Sequence, residues 1–254
     1  MKVFITGASS GIGAALAAHY ARRGAVLGLC ARRAEPMRKL LAGLGGRGAP
    51  YTVDVTEASS LQNAARDFVE RFGVPDIVIA NAGVSMGTAS ALSEDLATFR
   101  RVMDTNVFGM AATFQPFVAL MRERASGILA GVSSVAGFRG LPGSSAYSAS
   151  KAAAIAYLES LRVELYGSGV SVVTICPGYV STPMTAVNRY RMPFIIGADD
   201  AAERIAHAIA QKRRLAVVPW QMALASRVLR ILPAWLYDRV FAHAPRKARG
   251  RPLQ

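Results

Sequence analysis

The chain has 254 residues, 52% of them hydrophobic, and a formal net charge of +14. That length suits one large α/β domain with a sizeable core, and a charged fraction of 18% excludes disorder over most of the chain. The charge is concentrated at one end: from Lys212 onward there are ten Lys or Arg against one acid, Asp238, so residues 1–211 carry only +5, which favours general solubility over nucleic-acid binding.

Strand and helix signals alternate from the start. Residues 3–6 form a short β-rich run, followed by glycines and an alanine-rich helix over 12–23. A second apolar strand spans 25–30 and closes at Arg32 and Arg33, before a helix over 35–44. A strand at 50–53 ends at Asp54, and Thr56 reads as the N-cap of a helix reaching residue 72. A fourth strand covers 77–80, and a long helix fits 94–123, with bends expected at Gly109 and Pro116. Then follow a strand over 127–132, a helix over 146–166, a β-branched strand over 170–175, a helix over 201–212 and a last strand over 215–218. Near-continuous apolar strands alternating with helices predict a parallel sheet of about seven strands, covered on both faces.

Ligands of such sheets bind beyond the carboxyl ends of the strands. Those ends carry, in order, the glycine loop Gly7–Gly13, Arg32-Arg33, Asp54, Asn81-Ala82-Gly83, Ser133-Ser134 and Pro177-Gly178. In the loop, Gly7 permits a tight turn, Gly11 lets backbone approach a pyrophosphate, and Gly13 lets helix and sheet pack closely. The helix start then offers N–H groups and a positive dipole to phosphates. Farther on, Tyr147 and Lys151 stand four residues apart on a predicted helix, on one face and about 6 Å apart. An ammonium there would favour a tyrosinate, so this spacing predicts a phenol with a lowered pKa.

Thr6-Gly7-Ala8-Ser9-Ser10-Gly11-Ile12-Gly13, Asn81-Ala82-Gly83, Tyr147-x-x-x-Lys151 and Pro177-Gly178 resemble the short-chain dehydrogenase/reductase family in order and spacing, over about residues 2–220. The resemblance implies a Rossmann-like doubly wound catalytic domain over 1–220, followed by an amphipathic and basic extension over 221–254. It implies four catalytic residues: Tyr147 as proton donor, Lys151 tuning it and bonding the nicotinamide ribose, Ser134 orienting the substrate oxygen, and Asn106 supporting a water-linked proton relay. Ser134 is preferred to Ser133 because it lies thirteen residues before Tyr147, the family's spacing. Implied cofactor contacts are Gly7, Ser9, Ser10, Gly11, Ile12 and Gly13 around the pyrophosphate, and Asp54 and Val55 near adenine. Asn81, Ala82, Gly83, Tyr147, Lys151, Pro177, Gly178, Val180 and Thr182 complete the set, Thr182 at the carboxamide. A homodimer or homotetramer is implied, with helices 94–123 and 146–166 pairing across a twofold.

An NAD-selective site usually places an acid after the second strand, on the ribose 2′-hydroxyl. Here Arg32 and Arg33 stand there, with no acid until Glu35, so NADP(H) is expected. The reading is an oxidoreductase moving a hydride between NADP(H) and a carbonyl or alcohol carbon, a ketone reductase for hydrophobic or lipid-like substrates. Ser85, Met86, Phe138, Arg139, Leu141, Tyr179, Met184 and the segment to residue 196 are the expected substrate walls. The alternative is a catalytically silent dinucleotide sensor on the same fold.

No metal site is expected, since His19, His207 and His243 are isolated. Cys30 and Cys176 read as buried free thiols, and no apolar run reaches the ~18 residues that would suggest a bilayer span. With a functional motif starting at residue 6, no signal peptide is expected, and the expected location is cytoplasmic. Residues 221–242 read as two short amphipathic helices broken at Pro233, and 244–254 as a basic disordered end. Peripheral contact with an anionic membrane, an oligomer contact and a lid over the site are the three open readings of this extension.

Overall fold

The computed structural model describes every residue except 44, 46, 189, 248 and 250–254. Seven parallel strands, β1 (Lys2–Thr6), β2 (Val26–Ala31), β3 (Arg47–Thr52), β4 (Ile77–Ala80), β5 (Gly127–Val132), β6 (Val170–Pro177) and β7 (Leu215–Val218), form one sheet in the order 3-2-1-4-5-6-7. The chain crosses over between β3 and β4. The two halves of the sheet therefore diverge at the paired β1 and β4, where Val3 faces Ile77 and Ile5 faces Ile79. The crevice for a ligand in a doubly wound sheet opens at the carboxyl ends of this pair.

Helices α1 (Gly11–Ala21), α2 (Ala34–Gly43) and α8 (Ala198–Ala210) cover one face, over Val3, Ile5, Leu27 and Leu29. Helices α3 (Ala58–Phe72), α5 (Gly109–Glu123) and α6 (Ser145–Glu164) cover the other, over Phe4, Val78 and Leu129. Successive side chains of β1 thus enter opposite cores, as a strand's period of two requires. Phe4 packs its ring 5.5 Å from that of Phe68 and 4.9 Å from that of Phe117. Full burial of each such side chain is worth about 2–3 kcal/mol.

The long helix expected over 94–123 is interrupted. After α4 (Asp95–Met103) the chain widens into one π turn, Asp104–Phe108, before continuing as α5. The π turn ends just before Gly109, one of the two expected bend sites, and Pro116, the other, sits inside α5 without ending it. A four-residue helix, α7 (Pro183–Ala186), follows β6 and was not expected. Residue 44, at the predicted end of the second helix, lies outside the described residues.

The extension forms α9 (Trp220–Ile231) and α10 (Ala234–Phe241), with Pro233 at the break as expected. Arg139, expected in the substrate wall, points to this extension instead. Its Nη1 donates to the carbonyls of Leu229 and Leu232, both at 2.6 Å, and its guanidinium lies 4.1 Å from the centre of the Tyr237 ring. A cationic side chain at the carbonyl end of α9 satisfies groups the helix leaves unpaired. Phe138, Arg139 and Leu141 line a separate apolar cavity of about 660 Å³ against α10, not the main cleft. The basic end differs from the disordered segment expected: Lys247 and Arg249 bond to Ser85, Glu94 and Asp95. The rest of that expectation, at 248 and 250–254, lies outside the described residues.

Candidate active site

A cleft of about 740 Å³ opens at the carboxyl edge of the sheet. It gathers nearly all the side chains picked out from the sequence. Gly7, Ser9, Ser10, Gly11 and Ile12 line one wall, Arg32, Arg33, Asp54 and Val55 one end, and Asn81, Ala82 and Gly83 the floor. Ser134, Tyr147 and Lys151 face Pro177, Gly178, Val180 and Thr182 across it. Gly13 and Asn106 are the exceptions and lie behind the surface.

The glycine loop shapes the first wall. Gly7 takes a left-handed φ of 69°, and Gly13 presses so close that a Cβ there would sit 2.2 Å from the Gly7 carbonyl oxygen. Asn81 locks the turn, its Nδ2 donating to the carbonyls of Thr6 and Gly7, each at 3.1 Å. The Ser10 side chain does not cap α1, so the helix presents its first N–H groups to the cleft. An uncapped helix start behind a glycine turn fits the pyrophosphate of a dinucleotide.

At the far end, burial opposes ionisation of Asp54. The Thr56 N–H at 3.0 Å and hydroxyl at 2.8 Å, with Arg32 and Arg101 nearby, outweigh it and hold the carboxyl below its ordinary range. Arg101 escaped the sequence analysis. It lies on α4, nearly 70 residues beyond Arg32, and no local pattern announces that the two meet.

At the opposite end, Lys151 is buried and its Nζ donates to the Val132 carbonyl at 2.9 Å, 5.8 Å from the centre of the Tyr147 ring. Burial brings the ammonium down to about 8. Burial also pushes the Tyr147 phenol above its ordinary value, with the Ser134 hydroxyl opposing the rise. The lowered phenol pKa expected from the Tyr–Lys spacing is therefore not the balance found: desolvation outweighs the Ser134 hydrogen bond. Ser133 donates to the Lys151 carbonyl at 2.8 Å, which commits its hydroxyl to holding α6. Ser134 caps the short turn Val135–Gly137 by accepting from the Ala136 N–H, and its hydroxyl, beside Tyr147, donates over a long 3.4 Å to the Pro177 carbonyl.

Asn106 is wholly buried in the π turn. Its Oδ1 accepts from the Val84 N–H at 2.8 Å, and its Nδ2 donates to the Val84 carbonyl and to Ser150 Oγ, both at 2.9 Å. It thus ties the turn after β4 to α6, one residue from Lys151. A Cβ on Gly83 would lie 3.1 Å from Asn106 Oδ1 and 3.5 Å from Lys151 Nζ, so the three residues meet at one point of the floor. Of the expected substrate walls, Ser85, Met86 and Met184 line the cleft. Tyr179 does not, and residue 189 lies outside the described residues.

Residues 1–192 match the family model described as short chain dehydrogenase. The chain is similar to an uncharacterized oxidoreductase of Myxococcus xanthus (strain DK1622), 42% identical over 237 residues that span 92% of this chain and 93% of the relative. Among solved structures it is similar to an alcohol dehydrogenase from the archaeon Thermococcus sibiricus complexed with 5-hydroxy-NADP. That likeness has 28% identity and a TM-score of 0.75, over 86% of this chain and 96% of that one. It is also similar to a 3-oxoacyl-acyl-carrier-protein reductase from Brucella melitensis with bound NAD, at 27% identity and a TM-score of 0.74, over 85% and 88%.

Proposed function

The chain belongs to the short-chain dehydrogenase family and is an oxidoreductase, and from that premise we propose that it moves a hydride between NADP(H) and the carbonyl or alcohol carbon of a hydrophobic or lipid-like substrate. The family uses nicotinamide dinucleotides; the choice of NADP(H) rests on Arg32 and Arg33 at the end of β2, supported by Arg101 across the same end of the cleft. A guanidinium cluster suits a 2′-phosphate, and the usual acid is missing from that place.

The reading is carried by one observation: Ser134, Tyr147 and Lys151 converge on a cleft whose other end holds an uncapped helix start and three arginines. A bound nicotinamide supplies the hydride. Tyr147 passes a proton to the substrate oxygen, and Ser134 holds that oxygen where charge develops. Lys151, fixed by the Val132 carbonyl, offers its ammonium to the cofactor ribose and keeps a positive charge beside the phenol as it ionises. Asn106, with its amide committed to Val84 and Ser150, is a positioning residue; a relay of protons would run beside it. The test is NADPH oxidation across aliphatic, cyclic and acyl-thioester ketones, with Tyr147→Phe as control. NADPH binding without turnover of any ketone would favour the silent sensor instead.

Two further readings have specific support. Exposed Leu96, Phe99 and Phe108 on the 95–123 segment, and Val163 and Tyr166 at the end of α6, favour a homo-oligomer built on these helices. On α9, Trp220, Leu224, Val228 and Ile231 are exposed at spacings of four, four and three, which draws an apolar stripe along the helix. Arg227 and Arg230 lie on its exposed surface, and Trp235 and Val240 are exposed on α10. An apolar stripe with tryptophans and arginines favours peripheral docking on an anionic bilayer. No helix among the described residues is long and apolar enough to cross a membrane.

A further inference from the structure

A strap of chain that the catalytic reading does not use brings Lys247 and Arg249 into the lining of the cleft. Arg249 anchors the strap on one side: its Nε lies 3.0 Å from Asp95 Oδ2, and its Nη2 lies 3.2 Å from both Asp95 Oδ1 and Glu94 Oε1. Asp95 is itself fixed by the Ala89 N–H at 2.7 Å. On the other side the strap presses on Gly143, four residues before Tyr147. There φ is +72°, and a Cβ would lie 2.7 Å from the Cβ of Arg246. Only a glycine accommodates both that backbone and that contact.

Between the two anchors stands Lys247, whose Nζ donates to Ser85 Oγ at 2.8 Å. Ser85 follows Val84, which Asn106 pins, and precedes Met86, which packs inward with Val102 and Ala146. Lys247 is half-buried, and burial lowers its pKa. Among the described residues no carboxylate lies within ion-pair distance of it. The same cleft takes in apolar Val84, Met86, Met184 and Val187. A partly desolvated ammonium without an acid is costly unless an anion completes it.

We propose that Lys247 is an anion anchor at the substrate end of the cleft, taking the carboxylate or phosphate monoester headgroup of an amphipathic substrate whose apolar part lies against Met86 and Met184. The inference rests on the proposed hydride transfer only in naming that end, and its test reads binding rather than turnover. Decanoate, decyl phosphate and decanol are titrated calorimetrically into the full chain, with and without NADP⁺. At least one anion binds about tenfold more tightly than decanol, the worth of one charge-assisted hydrogen bond. Lys247→Gln removes that advantage and Lys247→Arg retains it. Arg249→Gln, which frees the strap, also reduces it. The two anion arms identify the headgroup. Equal affinities for both anions and decanol overturn the proposal, as does an anion preference that Lys247→Gln leaves intact. A Lys247→Gln variant that loses only NADP⁺ affinity also overturns it, placing the ammonium on the cofactor. Failure to bind NADP⁺ counts against the hydride-transfer reading alone, because the anion-to-alcohol ratio is read either way.

Discussion

Lys151 holds its ammonium 5.8 Å from the centre of the Tyr147 ring, and burial moves the two groups towards neutrality from opposite directions. The lysine is brought down to about 8 while the phenol is pushed above 10. Below pH 8 both the folded and unfolded chains carry the Lys151 proton, and the folded chain bears the full cost of the buried charge. Between pH 8 and 10.5 only the unfolded chain keeps it, so stability gains with rising pH. The unfolding free energy of wild type relative to Lys151→Met therefore climbs across that window, by up to about 3 kcal/mol. Urea denaturation at pH 7, 8, 9 and 10 measures it, and a flat difference contradicts the burial of a charged lysine.

Tyr147→Phe removes the transferable proton without emptying the space. Turnover in the ketone assay falls by about 10²–10⁴, the usual worth of a positioned general acid. The NADPH dissociation constant changes by less than about tenfold, since a lone hydrogen bond is the most that is lost. Turnover within tenfold of wild type would remove Tyr147 from the chemistry.

Gly13→Ala introduces a methyl where only 2.2 Å separates its position from the Gly7 carbonyl oxygen. The turn and α1 must move apart, at about 1–3 kcal/mol. Melting temperature and NADPH affinity fall together, by several degrees and at least about tenfold. Unchanged affinity would mean that this turn does not form the pyrophosphate cradle.

Arg32→Ala and Arg101→Ala each weaken NADPH by about tenfold or more while leaving NADH within about twofold. Fluorescence titration of both nucleotides against wild type and variants decides the matter. A wild-type protein that prefers NADH defeats the assignment.

The stripe on α9 predicts that the full chain sediments with vesicles containing anionic phosphatidylglycerol and not with neutral phosphatidylcholine. Replacing Trp220 and Trp235 together by Ser lowers partitioning by at least about tenfold, given the apolar area withdrawn. Sedimentation indifferent to lipid charge and to both tryptophans would leave these helices to another partner.

Much of this architecture was legible because its signals are local. The apolar runs that became β1, β4 and β5 sit between glycines and polar strand ends, and the strand ends themselves gathered into the cleft. Tyr147 and Lys151 needed only the helical repeat. What escaped depends on distant partners. Arg139 reads as a loop residue near the substrate until α9 arrives with two free carbonyls some ninety residues later. Arg101 and Lys247 carry no pattern that ties them to Asp54 or Ser85. The strength of burial around Tyr147 was equally hidden, since spacing gives the distance to the cation but not the depth of the site. The short helix α7 was a different kind of miss: Thr182 followed by Pro183 is an N-cap with proline at the first helical position, a start signal that was there to be read.

The strap in the cleft lining has a practical consequence for anyone purifying this protein. A tag fused behind residue 254 joins the chain five positions after Arg249, which lines the cleft, whereas one fused ahead of Met1 leaves from the amino end of β1, at the opposite edge of the sheet. Kinetic constants from tagged preparations should differ with the terminus used, and the untouched C-terminus is the one to measure.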